Sequence, residues 1–80
     1  EMVSNMNAKK GRPKHKLLSD REFQIFFLLA NGKTVKDISH ELSLSISTVN
    51  TYRSRIFSKM NLDTNIEIVM YAMKEGLIQV

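Results

Sequence analysis

Apolar side chains recur at three- and four-residue intervals in four stretches of this chain, the spacing of amphipathic helices, and no β-hairpin signal competes. In the first stretch Ile25, Phe26, Leu28 and Leu29 form a wide apolar face. Ser19-Asp20-Arg21-Glu22 precedes it as a capping box: the serine hydroxyl accepts from the third helical N–H, and Glu22 reaches back to the serine N–H. Asn31-Gly32 ends it, because glycine takes the left-handed conformation of a helix C-terminus. Thr34 caps a second, shorter stretch carrying Val35, Ile38 and Leu42, with Asp37 placed to complement the dipole. Leu42-Ser43-Leu44 breaks that pattern, and Ser45 caps a third helix with Val49, Tyr52, Ile56 and Met60 on its apolar side. Asn61 stops it. Thr64-x-x-Glu67 opens a fourth helix, which carries Ile68, Val69 and Ala72 and ends at Gly76. The prediction is an all-α, compact four-helix bundle.

Within it, residues 34–60 read as a short helix, a three-residue turn and a longer helix. The small residues Ser39 and Ser43 stand where two crossed helices must approach. This is a helix-turn-helix pattern, whose second helix enters the DNA major groove. The outward face of that helix offers Ser47, Asn50, Thr51, Ser54 and Arg55, and residues 46–60 hold three basic side chains and no acid. Asn50, Thr51 and Ser54, short and hydrogen-bonding, are the expected readers of base edges. Lys36, Arg53, Arg55 and Lys59 are the candidate phosphate ligands, two or three of the four being expected to serve and the rest being surface charge, with Thr34, Ser47 and Thr48 presenting hydroxyls or N–H groups near helix starts. The plainer alternative is a solvated helix face, and for Thr34 capping alone explains the residue equally well.

Size and charge narrow the picture. Eighty residues make one domain, with no cysteine for disulfides or thiolate metal sites, which fits a reducing cytoplasm. His15 and His40 lie far apart, so no metal or cofactor is expected, and His40 reads as an exposed helix residue. No apolar run approaches the ~20 residues that span a bilayer, so no membrane is expected. The net charge of +4 is uneven: residues 1–16 hold five basic groups and one acid, while the other 64 residues balance seven against seven. Residues 1–16, without hydrophobic periodicity, are expected to be a flexible basic arm or linker, and 17–80 the folded domain. Lys10-Gly11-Arg12-Pro13-Lys14 resembles the core of a minor-groove-binding AT-hook, although a basic interdomain linker is the favoured account. The chain starts at Glu1 rather than at an initiator, which leads us to expect a segment of something longer.

Two sets of apolar residues exceed what one small core needs. Ile66, Met70 and Met73 form a second stripe on the fourth helix and are expected to pack against a partner helix in a homodimer. Phe23 and Phe27 either widen the core contact of the first helix or meet a further domain.

The run Leu18-Ser19-Asp20-Arg21-Glu22, then Ala30-Asn31-Gly32, Lys36-Asp37-Ile38-Ser39, Leu44-Ser45, Thr48-Val49, Ile56, Lys59-Met60 and Gly76-Leu77-Ile78 resembles the LuxR-type (NarL or GerE) helix-turn-helix domain. The likeness covers residues 18–78. It implies a cytoplasmic bacterial transcription regulator, usually the effector domain of a two-component response regulator. It further implies double-stranded operator DNA as ligand, a third helix that reads it, dimerisation through the fourth helix, and RNA polymerase as a further partner. Asn50 stands where that family usually has lysine, Tyr52 where it has histidine, and Asn65 where it commonly has arginine. The first of these bears on which DNA sequence is preferred. Rival readings are a promoter-reading domain of the sigma-factor kind and a protein-interaction module that keeps the fold. The Gly76-Leu77-Ile78 ending argues against the former. An enzyme is not expected: no catalytic cluster, nucleophile elbow or phosphate loop is present.

Overall fold

Each helix of the domain starts where a hydroxyl side chain can replace a missing helical hydrogen bond. In the computed structural model, which describes residues 14–78, α1 (Asp20–Ala30) is capped by Ser19. Its hydroxyl accepts from the Glu22 N–H at 3.2 Å, and Glu22 Oε1 accepts from the Ser19 N–H at 2.9 Å. The same reciprocal box opens α2 (Val35–Leu42) through Thr34 and Asp37, and α4 (Asn65–Lys74) through Thr64 and Glu67. The longest helix, α3 (Ile46–Met60), starts differently. Ser45 accepts from the Thr48 N–H at 3.0 Å, but no acid stands in its first turn.

The ends are set by backbone conformation. Gly32 (φ +88°) and Gly76 (φ +72°) follow α1 and α4 with the positive φ that glycine adopts without a Cβ penalty. Asn61 stops α3 at φ +56°. Ser43 is a correction to the sequence reading. It was expected as a small residue at a close approach of helices, yet it is exposed and sits in the left-handed region at φ +57°, capping α2. Its role is the turn itself. Ser39 does occupy the tight position: it is buried, and its hydroxyl donates back to the Lys36 carbonyl at 2.9 Å.

α1 lies against both α3 and α4, and α2 crosses α3. The core is Ile25, Phe26, Leu29 and Ala30 from α1, Ile38 from α2, Val49, Ile56 and Met60 from α3, and Ile68 and Ala72 from α4. Among the described residues there is no strand, and no helix is long and apolar enough to cross a membrane. The architecture is therefore the all-α four-helix arrangement with a helix-turn-helix at its centre.

Two contacts were not foreseen. Lys14–Leu17 form a 3-10 turn, although order is expected from the sequence only from Leu17. His15 anchors it: its backbone N–H donates to the Tyr71 hydroxyl at 3.3 Å, its Nδ1 lies 3.0 Å from the same oxygen, and its ring packs against Phe23. The remaining arm residues, including Lys9, Lys10 and Arg12, lie outside the described residues. The second contact is an ion pair. The Lys59 ammonium donates to Glu22 Oε1 at 2.7 Å, tying the last turn of α3 to the first turn of α1. The Glu22 carboxylate is 5 % exposed, and burial is offset by the Lys59 hydrogen bond and the Ser19 N–H, which together hold its pKa below the ordinary value of 4.5.

Because the native pKa is depressed, the stability that Glu22 contributes is fully present above 4.5 and is lost as pH falls through the native value. Glu22→Gln is expected to lower stability by about 1 kcal/mol at neutral pH, since half of the pair is solvent-exposed. The loss should vanish near the acid end of a pH series of urea melts. A deficit that stays constant down to acid pH would mean that shape, not charge, is what the variant disturbs.

Candidate nucleic-acid interface

A helix packed on one side exposes the other, and α3 divides cleanly. Val49, Ile56 and Met60 have no accessible surface, while Ser47, Asn50, Thr51, Ser54 and Arg55 are exposed. At ~3.6 residues per turn, Ser47, Thr51, Ser54 and Ser58 fall on one line opposite that buried seam. Ser58, also exposed, was missed in the sequence, although its spacing from Ser54 and Thr51 places it there. Ile46, Asn50 and Arg53 flank the line on one side, and Thr48, Arg55 and Lys59 on the other. Ile46, at the first position of the helix, is 49 % exposed and was likewise not singled out.

The N-terminal turn of α3 is rich in hydroxyls. Ser45 Oγ donates to Thr48 Oγ1 at 2.9 Å and lies 3.4 Å from Ser47 Oγ. With no acid in this turn, the positive end of the helix dipole is uncompensated, whereas α1, α2 and α4 each carry acids there. Thr51 is exposed and donates its hydroxyl proton to the Ser47 carbonyl at 3.1 Å, which leaves its oxygen lone pairs as acceptors. The basic groups nearby are held by aromatic rings: Arg53 lies 4.6 Å from the Phe57 centroid and Arg55 5.8 Å from the Tyr52 centroid. Lys36 is exposed on α2.

Two of the expected phosphate ligands are engaged elsewhere. Lys59, counted among the outward cations, pairs with Glu22 while its side chain stays 42 % exposed. Thr34 uses its hydroxyl to accept from the Asp37 N–H and its own N–H to donate to Asp37 Oδ2 at 3.1 Å. The Asp37 pKa is lowered by those bonds, the Thr34 N–H first, so an anion already sits beside Thr34. Capping is what Thr34 does here. Asn65 accepts from Arg53 Nε at 3.3 Å.

On α4, Ile66, Met70 and Met73 are 70 %, 60 % and 36 % exposed, and Ile68 and Ala72 fill the opposite side. The second stripe is thus open to solvent. Phe23 widens the core contact, being packed against it, while Phe27 is exposed beside it at 6.5 Å between ring centroids. His40 is exposed, and among the described residues no group of His, Cys, Asp and Glu could hold a metal ion.

Residues 16–72 match the profile of the bacterial regulatory proteins, luxR family. The response regulator UvrY of Escherichia coli K12 is 39 % identical over 75 residues, covering 94 % of this chain and 34 % of its own length. The response regulator GacA of Pseudomonas aeruginosa is 44 % identical over 61 residues, 76 % of this chain and 28 % of its own. GacA of Pseudomonas protegens is 41 % identical over 61 residues, covering 76 % and 29 %. The chain spans about a third of the length of these curated relatives.

The division of α3 and α4 into buried and open sides has a direct test in stability. Ile56→Ala is expected to cost about 2–5 kcal/mol, as for a fully buried aliphatic side chain. Ser54→Ala and Met70→Glu, both on open faces, should stay within about 0.5 kcal/mol of wild type in chemical denaturation. A Met70→Glu variant that melts early would place that side chain in the core and remove the open stripe.

Proposed function

Since this chain belongs to the LuxR family of bacterial regulatory proteins, we propose that it binds double-stranded DNA sequence-specifically, as the output domain of a response regulator. The observation that carries the reading is the face of α3: exposed, acid-free, hydroxyl-lined at an uncompensated helix start, and held by a fully buried seam behind it. A partner of high negative charge fits that face, and the rigid backing lets short side chains meet base edges in register.

In this reading Asn50, Thr51 and Ser54 contact bases. Asparagine can bond bidentately to adenine, and a threonine methyl group suits the methyl group of thymine. Ser47 and Thr48 meet a phosphate at the start of α3, where hydroxyls and the helix dipole act together. Lys36, Arg53 and Arg55 neutralise phosphates to either side. The cations of residues 1–16 add charge along the backbone. The open α4 stripe of Ile66, Met70 and Met73 joins two copies, so that two α3 helices meet half-sites on one face of the duplex. The relatives named response regulators support the assignment to that class of protein.

The test is a gel shift on duplexes selected from random sequence, titrated with salt. Asn50→Ala should lose about 1–3 kcal/mol on the best site and relax preference at one position, whereas Lys36→Ala should weaken all duplexes nearly equally. Equal losses for Asn50→Ala on selected and random DNA would remove it from the base readers. Met70→Glu should weaken binding to a paired site while leaving a single half-site unaffected. A paired-site affinity untouched by that charge would refute dimerisation through α4.

A further inference from the structure

The basic side chains of the helix-turn-helix differ in what holds them. Lys59 is neutralised by Glu22 at 2.7 Å, and Lys33 lies 3.9 Å from Glu41. Arg53 is held by two neutral groups: its guanidinium lies over the Phe57 ring at 4.6 Å, and its Nε donates to Asn65 Oδ1 at 3.3 Å. A guanidinium carries five N–H donors in one plane. The ring fixes that plane and Asn65 occupies the Nε edge, which leaves the two terminal nitrogens as a fork suited to phosphate oxygens.

We propose that Asn65 is a positioning residue that presets Arg53 for a DNA phosphate; the inference rests on the DNA-binding reading. Asn65 is the first residue of α4 and twelve positions from Arg53, so the contact exists only once the chain has turned between α3 and α4. The chemistry of the side chain matters. A lysine or arginine at 65 would repel Arg53, and an aspartate would cancel its charge. An amide carbonyl orients the guanidinium and leaves its full charge for the ligand. The rotamer entropy of a long side chain is then lost on folding rather than on binding, which is how preorganisation raises affinity. Arg53 shares its flank of α3 with Asn50, one turn away, so a phosphate gripped there also fixes the register of a base reader.

The experiment is a double-mutant cycle with the 80-residue chain and a duplex selected from random sequence by the wild type. Arg53→Ala should reduce the slope of log affinity against log salt by about one unit, the loss of one phosphate contact. Asn65→Ala should weaken binding on the order of threefold with slope and melting temperature unchanged, and should have no effect in the Arg53→Ala background. Arg53→Lys, which keeps charge but lacks the planar fork, should retain the slope and be insensitive to Asn65→Ala. In the free protein the Arg53 Nε–H resonance should exchange slowly with water, and faster in Asn65→Ala. Equal weakening by Asn65→Ala in both backgrounds, no weakening in either, or a rapidly exchanging Nε–H in the wild type would each overturn the proposal. A wild-type chain that selects no duplex at all would instead overturn the DNA-binding reading on which it rests.

Discussion

One helix of this domain has to serve two surfaces. Val49, Ile56 and Met60 bury one side of α3 completely against α1 and its neighbours, and every other feature follows from that packing. A side chain reaches a base edge with useful precision only if its helix cannot roll, and dense packing of a fully buried seam is what prevents rolling. The Glu22–Lys59 pair adds a second restraint at the far end of α3, and it draws on a carboxylate already engaged in capping α1. A fault in the cap of α1 would therefore be felt at the end of α3.

Local signals were legible in the sequence because they act over three or four residues. The capping boxes at Ser19 and Thr64, the cap at Thr34, the stops at Gly32, Asn61 and Gly76, and the apolar stripes all depend on neighbours within one turn. What escaped depends on residues that only folding brings together. Lys59 meets Glu22 across 37 positions, His15 meets Tyr71 across 56, and Arg53 meets Asn65 across 12. From sequence alone Lys59 was an outward cation and His15 part of an arm. Ser43 shows a different failure: the residue was noticed, but a small side chain suits both a close approach and a left-handed turn. Ser58 follows from helical spacing alone, four residues beyond Ser54 on the same line.

Charge is placed by local geometry rather than by total. Residues 17–80 balance seven basic groups against seven acids, and the 3-10 turn adds only Lys14 and Lys16, so the net charge of the folded part is small. The acids are concentrated at the starts of α1, α2 and α4, where they complement dipoles, and the start of α3 has none. Two arginines on that same helix rest on aromatic rings and, among the described residues, form no ion pair with an acid. The result is one surface on which an anion meets donors and a helix dipole together.

The central claim is that this surface, and no other helix face, meets base edges. An amide correlation spectrum of the isotope-labelled chain, titrated with its selected duplex and then with a random one, addresses it most directly. The account predicts that the selected duplex shifts the backbone amides of residues 46–55 and the Asn50 side-chain amide, and that the random duplex moves Asn50 far less. Large shifts confined to α4, with α3 silent, would contradict it.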